Sequence, residues 1–320
     1  MILGLIEHDR GILNPISLEM LTMARNLATD TGVPLEAIIV GEEARSLADR
    51  MPAFGVPRVH LVQHERLDDY VPEAWANGIW QLMEMLSPQA VLAPGTDRGN
   101  EVLAHVAAIS DLPMAANCTE IQPGEPYRVT RLRWGGSLLE EAKLSAGTRL
   151  LTIAPHVIEP TELNETSAYV LETFTPELED KMFRVRITRR IDKIGDKVSL
   201  AEARVVVGGG RGVGSAEGFV SLEELAGILG GAVGGSRVAT NLGWRPHSDQ
   251  IGQTGTRIAP DLYIACGISG AIQHMVGCKG AKHIMVINKD RGAPIFDRAD
   301  YGVVGDLHDV VPALIAELKS

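Results

Sequence analysis

The sequence predicts a two-domain α/β protein: an N-terminal parallel-sheet α/β domain with added antiparallel strands, then a C-terminal Rossmann-like domain built on a second parallel sheet. Three observations lead there. Short apolar runs of the kind buried on both faces of a parallel sheet alternate with segments of helical period. Acidic charge gathers in the first part: residues 200–320 hold 11 Lys+Arg and 12 Asp+Glu, which leaves 19 and 29 for residues 1–199. Glycine gathers in the second, in the run 208–215, Gly234-Gly235, Gly252-Gln253-Thr254-Gly255 and Gly267-Ile268-Ser269-Gly270. The division is 1–190, a polar linker 191–202, and 203–320.

In the first domain, Ile2–Ile6, Ala37–Val40, Val59–Val62 and Ala90–Leu92 read as buried strands. Between them, Val71, Trp75, Ile79, Leu82 and Leu86 recur at spacings of four, four, three and four, which places them on one face of a helix. Tyr127–Trp134 and Leu150–Ile153 are strand-like with no helix between, and are expected as antiparallel additions. Arg184–Arg190 alternates Arg with Val or Ile and reads as a solvated strand face. In the second domain the strands are Arg204–Val207, Leu262–Cys266 and His283–Ile287. Ser221-Leu-Glu-Glu224 is a capping-box pattern that would open a helix, and Leu307 to Leu318 carries an amphipathic stripe.

Composition removes several function classes. With 45% hydrophobic and 22% charged residues the balance is globular, not disordered. A net charge of −11 repels a phosphate backbone, so no nucleic acid is expected as partner. No apolar stretch reaches the ~18 residues of a membrane span, so no direct membrane insertion is expected, and Met1 runs straight into the first strand, which predicts a cytoplasmic location. Cys118, Cys266 and Cys278 form no C-x-x-C pair, which fits a reducing compartment and argues against structural zinc. His274 and Cys278 are four apart, but further ligands are missing, and no metal is expected. No hydrolytic triad order, paired-carboxylate motif or H-E-x-x-H is present.

In an open parallel sheet, ligands sit beyond the carboxyl ends of the strands. Each C-terminal strand ends suggestively: in Gly208-Gly209-Gly210-Arg211-Gly212-Val213-Gly214-Ser215, in Gly267-Ile268-Ser269-Gly270, and in Asn288-Lys289-Asp290. The first loop satisfies neither G-x-G-x-x-G nor the Walker pattern, which disfavours a conventional NAD or ATP site. It reads either as a phosphate cradle, where the Arg211 guanidinium would make bidentate contacts, or as a tight turn needing glycine. Ser269 is expected to N-cap a helix carrying Gln273 and His274 near its start, and His274 alone reads more readily as a satisfied structural histidine than as a ligand contact. Gly234-Gly235-Ser236-Arg237 and Gln250–Gly255 lie between sheet elements as donor-rich segments, for binding or as surface loops.

Leu262-Tyr-Ile-Ala-Cys-Gly-Ile-Ser-Gly-Ala-Ile-Gln-His274 and Val286-Ile-Asn-Lys-Asp-Arg-Gly-Ala-Pro-Ile-Phe296 resemble the signature of the electron transfer flavoprotein alpha subunit. The likeness extends through Gly208–Arg211, Ser236-Arg237, Gln250–Gly255 and Ala299–Asp306, nearly all of 203–320. Two departures occur, Glu217-Gly218-Phe219 where Glu-Asn-Phe is frequent, and Cys266 where a smaller or aliphatic residue is usual.

The resemblance implies one FAD on the C-terminal domain, an N-terminal domain that packs on a beta subunit, and AMP or a second FAD on that subunit. It implies a carrier without its own substrate, taking electrons from flavoprotein dehydrogenases such as acyl-CoA dehydrogenases, in fatty acid beta-oxidation, and passing them singly to a quinone oxidoreductase. An electron-bifurcating, NADH-oxidising complex is the alternative within the family, and a non-redox nucleotide-binding module the alternative outside it. By matched position, Arg211, Ser236 and Ser269 would contact FAD. Thr254 would bond the flavin N5, and Gln250, Ile251, Gly252 and Gln253 would line its loop. Gly270, Ala271 and Ile272 lie in the matched Ser269–His274 stretch, Gln273 and His274 beside the ribityl chain and flavin O2, and Asn288 and Asp306 at the adenosine half. Arg237 would lie over the isoalloxazine, where a cation in a low-dielectric site favours negative charge on a reduced ring. A positively charged or donating His274 would add to this.

Overall fold

A computed structural model of the chain describes residues 1–136, 138–164, 168–188, 200 and 203–319. Two compact units emerge, Met1–Arg190 and Ile191–Ser320. The expected linker 191–202 lies outside the described residues apart from Leu200.

The first unit runs β1 (Ile2–Leu5), a small hairpin of β2 (His8–Asp9) and β3 (Ile12–Leu13), α1 (Ile16–Thr31), β4 (Leu35–Val40), a 3-10 segment (Glu42–Phe54), β5 (Arg58–Val62), α2 (Pro72–Leu86), β6 (Ala90–Pro94) and α3 (Asp97–Ser110). It continues with β7 (Met114–Gln122), β8 (Tyr127–Arg133), β9 (Leu138–Leu144), β10 (Arg149–Ile153) and β11 (Val170–Phe174). Nine strands form one sheet in the order β11-β5-β4-β1-β6-β10-β7-β8-β9. Side chains alternate between its faces with period two. Ile2 and Ile39 therefore join one core with Leu21 and Phe54, while Leu3 and Ile38 join the other with Trp75 and Val102. Helix ends follow local chemistry: Pro72 opens α2, Thr96 caps α3 by accepting from the Gly99 N–H at 2.9 Å, and Gly32 closes α1 at φ +68°.

Two expectations fail in this unit. The strand read at Leu150–Ile153 is parallel, inserted between β6 and β7, and all five residues of β10 are buried. A run buried on both faces belongs inside a parallel sheet; only β8 and β9 are the antiparallel additions. Residues 184–188 form no strand, and Arg189 and Arg190 lie outside the described residues. The hydrogen-bonding edge of β5 is occupied instead by β11.

The second unit holds β12 (Val205–Gly209), α4 (Phe219–Ile228), β13 (Ala232–Gly235), α5 (Arg237–Asn241), β14 (Leu262–Cys266), α6 (Ile272–Gly277), β15 (His283–Asn288), β16 (Tyr301–Val304) and α7 (Leu307–Leu318). Its five strands are all parallel, in the order β13-β12-β14-β15-β16. Val206, Tyr263 and Val286 face one core; Val207, Ile264 and Ile287 face the other, covered by Leu222 of α4 and Val311 of α7.

Local chemistry corrects three readings here. The capping box does not open α4: the helix begins at Phe219, a buried anchor, and Ser221 lies inside it, donating to the Gly218 carbonyl at 3.3 Å. The segment at Gly234-Gly235 is not between strands but ends one, β13, at the sheet edge. Ser269 caps no helix, because the left-handed Gly270, at φ +86°, turns the chain first and α6 starts at Ile272. Among the described residues no helix is long and apolar enough to cross a membrane.

Candidate functional site

In the second unit the chain steps from β12 outward to β13, then returns across β12 to β14. The connections leaving the carboxyl ends of β12 and β14 therefore lead to opposite edges of the sheet, and this reversal is where an open parallel sheet offers a crevice. A cavity of about 840 Å³ occupies that position. The volume lies within the ~300–1,000 Å³ usual for small-molecule sites.

The strand ends make the opening possible. After β12 the loop turns beside the loop after β14, with Gly212 N–H bonded to the Gly267 carbonyl at 3.0 Å. A Cβ on Gly267 would stand 2.7 Å from Gly212 Cα, and Gly267 has φ +62°, so side chains are excluded by both contact and backbone conformation. Arg211 projects from this turn and Arg237 from the start of α5; both are exposed, line the cavity and carry no ion pair among the described residues. Ser236 precedes Arg237 and accepts from Ala239 N–H at 3.4 Å.

One wall is the segment Gln250–Thr254. Its Ile251 N–H bonds the last carbonyl of β13, Gly235, at 2.9 Å, and Gln253 N–H bonds the Gln273 carbonyl of α6 at 2.7 Å. Gln250 is buried between two hydroxyls, taking Thr240 Oγ1 at 3.0 Å on one side and donating to Thr254 Oγ1 at 3.0 Å on the other. Thr254 is thereby held at the cavity edge.

His274 forms part of the floor. It is 7% exposed, its Nε2 lies 2.8 Å from Tyr263 Oη, and its Nδ1 has no hydrogen-bond partner among the described residues. Burial pushes its pKa down to about 4; the Ile251 backbone opposes this more weakly and is outside hydrogen-bonding geometry. So lowered, the ring is neutral near neutral pH, and of the two roles expected for His274, positively charged or donating, burial favours the second.

Thirteen of the expected positions line one cavity: Arg211, Ser236, Arg237, Gln250, Ile251, Gly252, Gln253 and Thr254, with Ser269, Ala271, Gln273, His274 and Asn288. Three do not. Gly270 packs its left-handed turn against the Ile295 backbone, the Ile272 side chain is 79% exposed, and Asp306 caps α7 through His308 N–H at 3.0 Å. Asn288 works partly as scaffold, donating to the Ile268 carbonyl at 2.9 Å and accepting from Asp290 N–H at 3.0 Å. Asn241, Lys289, Asp290 and His308 also line the cavity and were not among the expected contacts. Lys289 and Asp290 were legible as strand-end residues; Asn241 and His308 sit on helices and become neighbours only through the fold.

The lining suits a long ligand with an anionic middle and a flat polar-edged ring. The guanidinium groups of Arg211 and Arg237, unpaired among the described residues, and the hydroxyls of Ser236, Thr254 and Ser269 accompany the apolar Ile251, Ile268 and Ala293, and the buried His274 Nδ1 has no partner among the described residues. Among the described residues no group of three or more His, Cys, Asp or Glu could hold a metal ion.

Known proteins place this geometry in context. The family model Electron transfer flavoprotein FAD-binding domain matches residues 199–279, and the model Electron transfer flavoprotein domain matches residues 2–179. The chain is 35% identical to the electron transfer flavoprotein subunit alpha of Thermoanaerobacterium thermosaccharolyticum, over 98% of this chain and 96% of that one. It is 36% identical to Protein FixB of Clostridium saccharobutylicum, over 98% and 94%. The subunit alpha of Clostridium acetobutylicum is 34% identical over 98% and 95%.

Proposed function

The chain belongs to the electron transfer flavoprotein alpha-subunit family, and from that premise we propose that it is the flavin-holding half of a heterodimeric electron carrier. It pairs with a beta subunit, takes electrons from flavoprotein dehydrogenases, acyl-CoA dehydrogenases among them, and passes them singly to a quinone oxidoreductase. The FAD-binding domain is present, and the single observation that carries the reading is the cavity at its strand reversal, with exposed arginines, hydroxyls and a buried donor on its walls.

Bound FAD supplies reversible one-electron chemistry; the chain supplies position and charge. Arg211 and Ser269, on the loops after β12 and β14, hold the pyrophosphate between them. Thr254, fixed from behind by Gln250, presents its hydroxyl to the ring edge. Arg237 brings a permanent positive charge to a site partly shielded from water, where it favours negative charge on the ring. Asn288 steadies the two loops that meet the adenosine half.

The test is to co-purify the chain with its beta subunit and mix it anaerobically with a reduced acyl-CoA dehydrogenase. Bleaching of the flavin, followed by recovery with a quinone oxidoreductase, is the expected outcome. Bleaching of two flavins by NADH would instead identify a bifurcating complex, and a colourless heterodimer that takes up no FAD would overturn the carrier reading.

A further inference from the structure

The floor of the cavity contains a pair of aromatic side chains whose protons are constrained by burial. Tyr263, in the middle of the sheet on β14, is 0% exposed, and its hydroxyl reaches His274 Nε2 at 2.8 Å. It gets there because β12 offers Gly208 alongside: a Cβ at that position would lie 2.4 Å from the hydroxyl.

The direction of this hydrogen bond follows from counting unmet groups. If Nε2–H donated to the phenol oxygen, the phenolic proton would be stranded in the core, and Nδ1 would be a second group left without a partner. If the phenol donates to Nε2, the oxygen keeps only weakly demanding lone pairs, and one polar group remains open, the Nδ1–H. An unmet buried donor or acceptor costs ~1–3 kcal/mol, so the arrangement that leaves one is favoured over the one that leaves two. The surroundings reinforce this. Cys266 and Cys278 flank Tyr263, and burial pushes both thiols up to about 12, so they are uncharged; no acidic side chain contributes to the charge state of His274.

We propose that Tyr263 is a positioning residue that donates its phenolic proton to Nε2 and fixes His274 as the neutral Nδ1–H tautomer, so that the imidazole meets the ligand as a hydrogen-bond donor and not as a cation. The role assigned to the donor rests on the reading that FAD occupies this cavity; the tautomer itself does not. The positive charge felt by the ring then comes from Arg237, and His274 supplies direction. A neutral Nδ1–H donates to a carbonyl or an unprotonated ring nitrogen of the ligand without adding a charge of its own.

Histidine-selective ¹⁵N NMR of the FAD-loaded heterodimer at about pH 7 tests this. His274→Gln identifies the resonances among the nine histidines of the chain. The wild type is expected to show a protonated Nδ1 and an unprotonated, hydrogen-bonded Nε2. Tyr263→Phe should shift the Nε2 resonance and bring in the other tautomer. An imidazolium, or a proton on Nε2, in the wild type would overturn the proposal, as would a tautomer unchanged in Tyr263→Phe. The wild-type spectrum alone can refute it, so a Tyr263→Phe chain that fails to fold leaves the test intact. Flavin content, read by absorbance on the same sample, separates failure of the cofactor reading from failure of the tautomer.

Discussion

The two sheets each contain a strand reversal, and only one of the two is built to open. In the first unit the order turns between β1 and β6, where the loops after Leu5 and Pro94 diverge. That crevice is filled by its own residues. Glu7 accepts from Asn14 Nδ2 at 2.7 Å and from the Thr96 hydroxyl, Thr152 Oγ1 donates to Asn100 at 2.7 Å, and Asn117 N–H bonds Thr152 Oγ1 at 2.8 Å. Trp75 packs beside His8 with ring centroids 5.3 Å apart, and Arg98 lies over Tyr70. In the second unit β12 ends in Gly208-Gly209 and β14 is followed by Gly267, a cavity of about 840 Å³ stands there, and the buried His274 Nδ1 has no partner among the described residues. Topology supplies a crevice in both; side-chain volume and hydrogen-bond satisfaction decide which one takes a ligand.

The largest expected effect comes from making the open reversal resemble the closed one. Ala271→Trp places an indole at the cavity edge, and FAD affinity should fall about a thousandfold or more, which is ~4 kcal/mol or greater, with little change in the thermal midpoint of the flavin-free chain. Next is the reverse operation. Glu7→Ala strips Asn14 and Thr96 of their common partner, and a denaturant titration should register a loss of about 1–3 kcal/mol with the flavin-to-protein ratio unchanged.

The two reversals also share a buried histidine, and acid distinguishes them. His274 is held near 4 against an ordinary 6.5, so between these values the unfolded chain binds the proton that the folded one refuses. Stability contributed by this group is complete above about pH 6.5, declines as pH falls towards 4 and is level below that. His274→Gln should flatten that slope in urea titrations across the window, an effect on the order of 3 kcal/mol at the acid end. His8, lowered chiefly by burial, adds a slope of the same sign, which His8→Gln isolates. A smaller change is expected at Arg237. Arg237→Ala should move the one-electron flavin midpoint negative by roughly 60 mV, a tenfold change in the equilibrium, and Arg237→Lys by less.

Much of this contrast was legible before any coordinates. The parallel strands β1, β4, β5, β6, β12, β14 and β15 announced themselves as apolar runs, whereas the edge strands β11, β13 and β16, short or largely exposed, did not, and α7 was bounded to the residue at Leu307–Leu318. Glycine at strand ends located the open reversal, and the motif from Leu262 to His274 supplied six residues of the lining, among them Ser269, Gln273 and His274. What sequence could not supply was relational. The parallel setting of β10 depends on its neighbours, not on its own residues. The caps at Ser221 and Ser269 failed because Phe219 and the left-handed Gly270 set the helix starts, which local pattern does not weigh. The charge state of His274 depends on depth, and His308 reaches the cavity only because α7 packs against β15 and the turn after β12.

The central claim, that the second strand reversal holds the flavin and the first does not, is tested most directly by photolabelling the purified heterodimer with an azido-flavin analogue of FAD and mapping the attachment by mass spectrometry. The account predicts alpha-chain label on peptides spanning Ser236–Thr254 and Gly267–His274, competed away by FAD. Competed label confined to residues 1–190, or none on the second unit, would contradict it.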